Sequence, residues 1–249
     1  MPTILITGGS RGLGANTARR IAAAGHDVIL TYRKEEVEAA ETVSTVEAAG
    51  RKAKALQLDV ERVETFTAFA DAVRDALAAF GTDRLDGLLN NAGIGLATPI
   101  GDVDADTADT LYRIHLRGPA MLTDALLPLM GEGSRIVNVS SGLARFTLPG
   151  YAIYGSLKAA VEQLTRYQAA ELGPRGISVK AIAPGATETD FGGGAVRDDE
   201  GAKSMVESVT AMGRTGQPDD IGKVMAWLLS ADAHWITGET LEAGGGMKI

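Results

Sequence analysis

The chain has 249 residues, 45% of them hydrophobic and 22% charged, with a formal net charge of −8 and no cysteine. That is ordinary usage for a folded protein, long enough for one large α/β domain or two small ones. It excludes disulfides, thiolate nucleophiles and cysteine metal sites; with His26, His115 and His234 the only histidines no metal is expected, and with no basic tract longer than "YRK" or "ARR" no nucleic acid is expected either.

Short apolar runs rich in β-branched residues alternate with longer Ala-rich segments of helical spacing. The predicted strands are "TILIT" (3–7), "DVILTY" (27–32), "AKALQLD" (53–59), "LDGLLN" (85–90), "RIVNVS" (135–140), "ISVKAIA" (177–183) and "TLEA" (240–243). Helical patterns lie between them at about 12–24, 34–49, 61–80, 104–130, 152–173 and 218–230. Continuous apolar strands alternating with amphipathic helices predict a parallel sheet covered on both faces, with right-handed crossovers, hence a doubly wound α/β fold. No linker, low-complexity tract or repeat divides residues 1–249, so a single domain is expected. The first strand begins at once after "MP", which leaves no room for a signal peptide, and no apolar run reaches the ~20 residues of a membrane span. A cytoplasmic protein without membrane contact is expected. The one long irregular stretch, "PGATETDFGGGAVRDDE" (184–200), with a short helix after it, reads as a mobile substrate loop at about 186–212.

In such a sheet ligands bind at the carboxyl ends of the strands, where strand order reverses. The glycine cluster after the first strand, "NNAG" after the fourth, "SSG" after the fifth and "PGATET" after the sixth all fall at that edge. In "TGGSRGLG", Gly8, Gly12 and Gly14 are spaced G-x-x-x-G-x-G, which suits a sharp turn whose amides approach a pyrophosphate at a helix N-terminus. It is neither the common G-x-G-x-x-G nor a P-loop, and a purely structural βα turn would use the same glycines. At the end of the second strand, Tyr32 stands where an acid would hold a ribose 2′-hydroxyl, and Arg33 follows it. With Arg11 in the glycine loop, two guanidinium groups can converge on a 2′-phosphate, which favours NADP(H) over NAD(H); either arginine alone reads equally as a solvated charge. Asp59 and Val60 in "LDV" fit an adenine contact through carboxylate and amide, or an ordinary helix cap.

Tyr154 and Lys158 lie four apart in "YGSLK", on one face of a predicted helix. A free phenol with pKa near ~10 is a poor acid or base at neutral pH, and a neighbouring ammonium is expected to lower it. Ser141, thirteen residues before Tyr154, can donate to a substrate carbonyl or merely cap the strand end.

The ordered set "TGGSRGLG", "LDV", "NNAG", "IVNVSSG", "YGSLK", "PGATETDF" and "ITGETLEAGGGM" resembles the classical short-chain dehydrogenase/reductase family over nearly the whole chain. The resemblance implies a Rossmann-type fold with a seven-stranded parallel sheet and hydride transfer between a nicotinamide and a carbonyl or alcohol substrate. It implies Tyr154 as general acid/base, Lys158 as the residue that lowers its pKa and binds the nicotinamide ribose, and Ser141 as the group that polarises the carbonyl. Asn91 matches the residue that lines the cofactor site and steadies the sheet, and Thr187 and Thr189 match positions that hold the carboxamide. Ser10, Leu13, Ala92, Gly93, Pro184 and Gly185 complete the implied cofactor set. Gly95, Leu143, Tyr151 and Phe191 are expected in the substrate pocket, with Tyr167 returned to the core or an interface. The resemblance also implies a homotetramer. It departs at "RIHLRGPAMLT", where His115 stands in place of an asparagine that helps hold a water linking the lysine to solvent. The imidazole either substitutes for that amide, changes the proton route, or is a satisfied buried histidine. An NAD-preferring sugar or secondary-alcohol dehydrogenase, and a non-catalytic nucleotide-binding regulator, are the competing readings.

Overall fold

The continuous apolar runs are explained by burial on both faces. The computed structural model describes residues 1–249. In it β1 (Thr3–Ile6), β2 (Asp27–Tyr32), β3 (Ala53–Gln57), β4 (Gly87–Asn90), β5 (Arg135–Val139), β6 (Ser178–Pro184) and β7 (Thr240–Ala243) form one seven-stranded sheet. All pairings are parallel and the order is β3-β2-β1-β4-β5-β6-β7. The helices are α1 (Gly12–Ala23), α2 (Glu36–Ala48), α3 (Phe66–Phe80), α4 (Ala105–Tyr112), α5 (Gly118–Leu126), α6 (Ala152–Leu172), α7 (Ala195–Asp198), α8 (Glu200–Ser208) and α9 (Pro218–Leu228).

Side chains alternate across each strand. Leu5, Ile29, Leu88, Ile136 and Val179 pack with α3, α5 and the end of α6. Ile4, Ile6, Val28, Leu30, Leu89, Val137 and Ile182 pack on the other side with α1, α2 and α9. Local sequence sets the helix ends: α3 stops at Gly81, left-handed at φ 85°, and α9 starts at Pro218 behind a Gln217–Asp220 capping box. No helix is long and apolar enough to cross a membrane.

Most strand ends differ from the expected ones by a residue or two, as fraying ends do. Two larger differences have causes. The expected helix at 61–80 begins only at Phe66, because Asp59 Oδ1 accepts from Glu61 N at 3.0 Å and turns the chain there. The expected helix at 104–130 is interrupted by a π-helical turn over Arg113–Arg117 and finishes in a 3₁₀ turn over Leu127–Leu129. Arg117 Nη2 donates to Glu61 O at 2.7 Å, and a Cβ on Gly118 would sit 2.5 Å from Val60 O. The chain is thus held tight against the loop after β3, and the widened turn upstream absorbs the mismatch while carrying His115 inward. The expected irregular stretch at 184–200 also contains structure, a turn over Phe191–Gly194 followed by α7.

Strand order reverses between β1 and β4, so the loops after these two strands flank one crevice. Buried amides tie them together. Asn91 N and Ala92 N donate to Thr7 Oγ1 at 2.9 and 3.0 Å, while Asn91 Nδ2 donates to Thr7 O and Gly8 O at 2.8 and 3.0 Å. Deeper in the core, Asn90 Nδ2 donates to Asn138 Oδ1, and Asn138 Nδ2 to Thr165 and Gln168, which locks β4, β5 and α6 in register.

Candidate active site

One cavity of about 650 Å³ runs along the carboxyl edge of the sheet. Of the catalytic, cofactor and substrate-pocket candidates in the sequence, all but Gly14 line it. At one end the loop after β1 turns through Gly8 at φ 65° and Gly12 at φ 56° into α1, whose first turn has no side-chain cap. Its free amides and the helix dipole face the cavity, which is a cradle for a pyrophosphate. Gly14 works differently from expectation: a Cβ there would lie 2.1 Å from Gly8 O and 2.8 Å from Asn91 Nδ2. It is glycine so that α1 can close on the loop behind the cradle, not to touch a ligand.

Next to this cradle, Tyr32, Arg33 and Arg11 line the same end, as expected. Each guanidinium already faces a carboxylate: Arg11 Nη2 lies 3.8 Å from Glu35 and Arg33 Nη1 3.7 Å from Glu61. Both arginines are largely exposed, so these are loose, screened pairs that an incoming anion can replace. Asp59 lines the cavity, and its Oδ1 holds the turn at Glu61 instead of capping a helix, the next of which is preceded by Arg62.

At the other end Tyr154 and Lys158 project from α6, both buried. Lys158 Nζ donates to Val139 O at 2.7 Å and stands 5.6 Å from the Tyr154 ring centroid. Ser140, just after β5, anchors this helix by donating to Lys158 O and Glu162 Oε1 at 3.2 and 2.8 Å. Ser141 Oγ accepts from Leu143 N at 3.2 Å.

The electrostatics correct one expectation. Burial pushes the Tyr154 phenol above its ordinary value, and the Ser141 hydroxyl opposes this only in part. Burial also pulls Lys158 down to about 7, and the lysine does not offset the rise at the phenol. The phenol is therefore the protonated partner at neutral pH.

His115 is 1% exposed, its ring edge-on to Tyr154 with centroids 5.1 Å apart. Its Nε2 lies 2.8 Å from Ile94 O and 3.4 Å from Ile94 N; the shorter contact places the proton on Nε2, which donates to the carbonyl. Nδ1 is then a buried acceptor with no partner. A Cβ on Gly93 would lie 2.8 Å from the imidazole Cε1, so that glycine makes room for the ring. Burial and the Lys158 charge hold His115 well below 6.5, hence neutral. A base depressed in the folded state contributes stability that is full above the unfolded pKa and is lost as pH falls below it. His115→Asn is therefore expected to flatten the loss of thermal stability between about pH 6.5 and 5 while leaving the pH–rate profile above 6.5 superimposable on the parent. A changed rate profile in that upper range would make His115 a proton carrier.

Gly95, Leu143, Tyr151 and Phe191 line the reacting end as expected. A Cβ on Gly95 would lie 2.8 Å from the Phe191 ring, which in turn packs on Tyr154 at 5.8 Å. Tyr167 is 61% exposed and so is no core residue. Thr187 Oγ1 donates to Gly185 O at 3.0 Å, and Thr189 faces Gly12 across the cavity. Phe146, Leu148, Met205, Val206 and Met247 complete the walls. They come from three separate segments and carry no motif, so no spacing in the sequence could have grouped them.

Known proteins resemble the chain in sequence and fold. Residues 8–248 match the family model described as enoyl-(acyl carrier protein) reductase. The chain is 38% identical over 251 residues to 3β-hydroxysteroid dehydrogenase 1 of Eggerthella lenta, covering 99% of this chain and 94% of that one. It is 32% identical to a hydroxynaphthalene reductase of Aspergillus fumigatus, covering 94% and 88%. Among solved structures, a promiscuous reductase that catalyses a keto-reduction in lugdunomycin biosynthesis superposes with a TM-score of 0.94 at 33% identity, covering 100% of this chain and 98% of that one. A short-chain dehydrogenase from Burkholderia cenocepacia in complex with NADP gives a TM-score of 0.90 at 36% identity, covering 98% and 97%. With the sheet order, the glycine turn and the Ser141, Tyr154 and Lys158 cluster, these likenesses have one meaning: the chain belongs to the classical short-chain dehydrogenase/reductase family of oxidoreductases.

Proposed function

We propose that the protein is an NADP(H)-dependent carbonyl reductase, reversible as an alcohol dehydrogenase, working through Ser141, Tyr154 and Lys158. The observation that carries the reading is the shared cavity: the uncapped start of α1 at one end and the buried Tyr154 and Lys158 at the other. The residues present fit a dinucleotide, since Gly8 and Gly12 at positive φ keep the pyrophosphate cradle free of side chains. Arg11 and Arg33 would take the 2′-phosphate, Asp59 and Val60 the adenine, and Thr187 and Thr189 the carboxamide. When bound, the nicotinamide supplies the hydride.

The chain's own groups then manage the oxygen. Ser141 Oγ donates to the substrate carbonyl and Tyr154 transfers its proton to the oxygen as charge develops there. The phenolate left behind is reloaded from Lys158, which Val139 O holds in place and which burial sets near 7, where it exchanges protons readily. Oxidation of an alcohol follows the same steps in reverse. Three consecutive glycines at positive φ, Gly192, Gly193 and Gly194, support residues 186–212 as a segment that moves to admit substrate.

Coenzyme choice is tested by Arg33→Asp. The Kd for NADPH, followed by its fluorescence, is expected to rise roughly 30-fold or more, since a charge-assisted phosphate contact is replaced by repulsion. NADH binding should change little. Equal weakening of both would return the protein to the NAD-preferring reading.

The exposed apolar residues Tyr112, Met121 and Tyr167 on α4, α5 and α6, and Trp227, Trp235 and Leu241 around β7, support the homotetramer as the assembly. A single catalytic domain acting in the cytoplasm on small molecules completes the proposal.

A further inference from the structure

The reacting end of the cavity is walled by Phe146, Leu148, Tyr151, Phe191, Met205 and Met247. Apart from Lys158, no cation lines this end, and Lys158 is committed to Val139 O. Two nearby cations face elsewhere. Arg145 donates to Glu242, Met247 O and Lys248 O, while Lys248 Nζ donates to Thr147 O. Neither lines the cavity. An anionic group carried into this space would therefore lose its water without gaining a partner.

The approach to the pocket has the same bias. Residues 186–212, which form one rim, carry six carboxylates against two cations. Both cations are engaged: Arg197 with Asp190 and Asp198, Lys203 with Glu188 at 3.1 Å. Opposite Phe191, the lining residues Gly93, Ile94 and Gly95 bring no basic group. Such a mouth repels an anion before it reaches the site. Thioesters of coenzyme A or of an acidic carrier protein need the opposite sign, a basic surface beside the pocket for phosphates or carboxylates.

Resting on the reductase reading above, we infer that the substrate is an uncharged, ring-bearing apolar ketone, or the matching alcohol, that arrives free rather than as an anionic acyl thioester. The aromatic walls Phe146, Tyr151 and Phe191 suit the face and edge of a fused ring. Tyr151 and Phe191 both flank the Tyr154 ring, at 6.3 and 5.8 Å between centroids, so a ring packed against either would lie beside the phenol.

The test pairs molecules of one shape and two charges. With NADPH, the kcat/KM of the holoenzyme for a neutral tetralone is expected to exceed that for its ring-carboxylated analogue, and that for acetoacetyl-coenzyme A, by about 100-fold, the cost of an unpaired buried carboxylate. In parallel, calorimetry on the NADP⁺ complex should show 2-naphthol binding far more tightly than 2-naphthoate. The charge-reversing pair Glu200→Lys and Glu207→Lys on α8 should raise turnover of the carboxylated ketone and leave that of the neutral one unchanged. Equal or better use of either anionic substrate, or equal binding of naphthol and naphthoate, overturns the inference while the reductase reading stands. Selective naphthol binding with no reduction of any ketone overturns the reductase reading itself, and the substrate assignment with it.

Discussion

Replacing Tyr154 with phenylalanine is expected to lower kcat for ketone reduction by about 10³-fold, within the range a single positioned acid contributes. The Kd for NADPH and the melting temperature should stay close to the parent values. The separation of these readouts follows from geometry. The ring packs edge-on against His115 and Tyr151 and at a tilt against Phe191, contacts that phenylalanine preserves. Only the hydroxyl is lost, and with it the proton for the developing alkoxide. Because burial raises the phenol's pKa, it remains protonated throughout neutral pH, which is the state the proposed reduction requires. Retention of most of the activity would remove Tyr154 from the chemistry. A large loss accompanied by a fall in melting temperature would mean that the ring, not the proton, had been disturbed.

The environment of Tyr154 and Lys158 is only partly written in the local sequence. Four-residue spacing places Lys158 on the same helical face as Tyr154, and the two are indeed neighbours. The sign of the effect depends on how deeply both are buried, which is set by Phe191 arriving from a loop after β6 and His115 arriving through a π turn. Neither approach is encoded in local periodicity. The sheet was legible because its inner strands bury both faces, which leaves apolar runs such as "TILI" and "VILTY". The nucleotide end was legible because its glycines sit in one short turn. The walls of the reacting end were legible only in part. Tyr151 and Leu143 lie beside the catalytic motifs, whereas Met205 and Met247 meet through the pairing of Thr210 with Met247 at the chain's end. The counter-charges Glu35 and Glu61 are likewise far from their arginines' motif and gain meaning only from the 3.8 and 3.7 Å separations.

Gly14→Ala is expected to be the most damaging single methyl group in the molecule. By helix propensity alone it would stabilise α1 by up to ~1 kcal/mol, since alanine replaces glycine inside a helix. Packing reverses the sign. The added Cβ would sit 2.1 Å from Gly8 O and 2.9 Å from Gly8 C, both backbone atoms of a loop that Asn91 fixes through two hydrogen bonds. Nothing in that contact is a flexible side chain that can swing away, so either α1 retreats or the glycine turn distorts. A net loss of about 3 kcal/mol follows from overpacking of this kind, or a fall of roughly 6–12 °C in Tm for a chain of this size. NADPH affinity should fall with it, because the amides of the cradle belong to the displaced turn. Gly12→Ala provides the contrast. Its Cβ would meet nothing nearer than Thr189 at 3.7 Å, so its cost is the left-handed backbone at φ 56°, about 1–2 kcal/mol. If Gly14→Ala melted at or above the parent temperature and bound NADPH normally, the close approach of α1 to the loop would not be what positions the cradle.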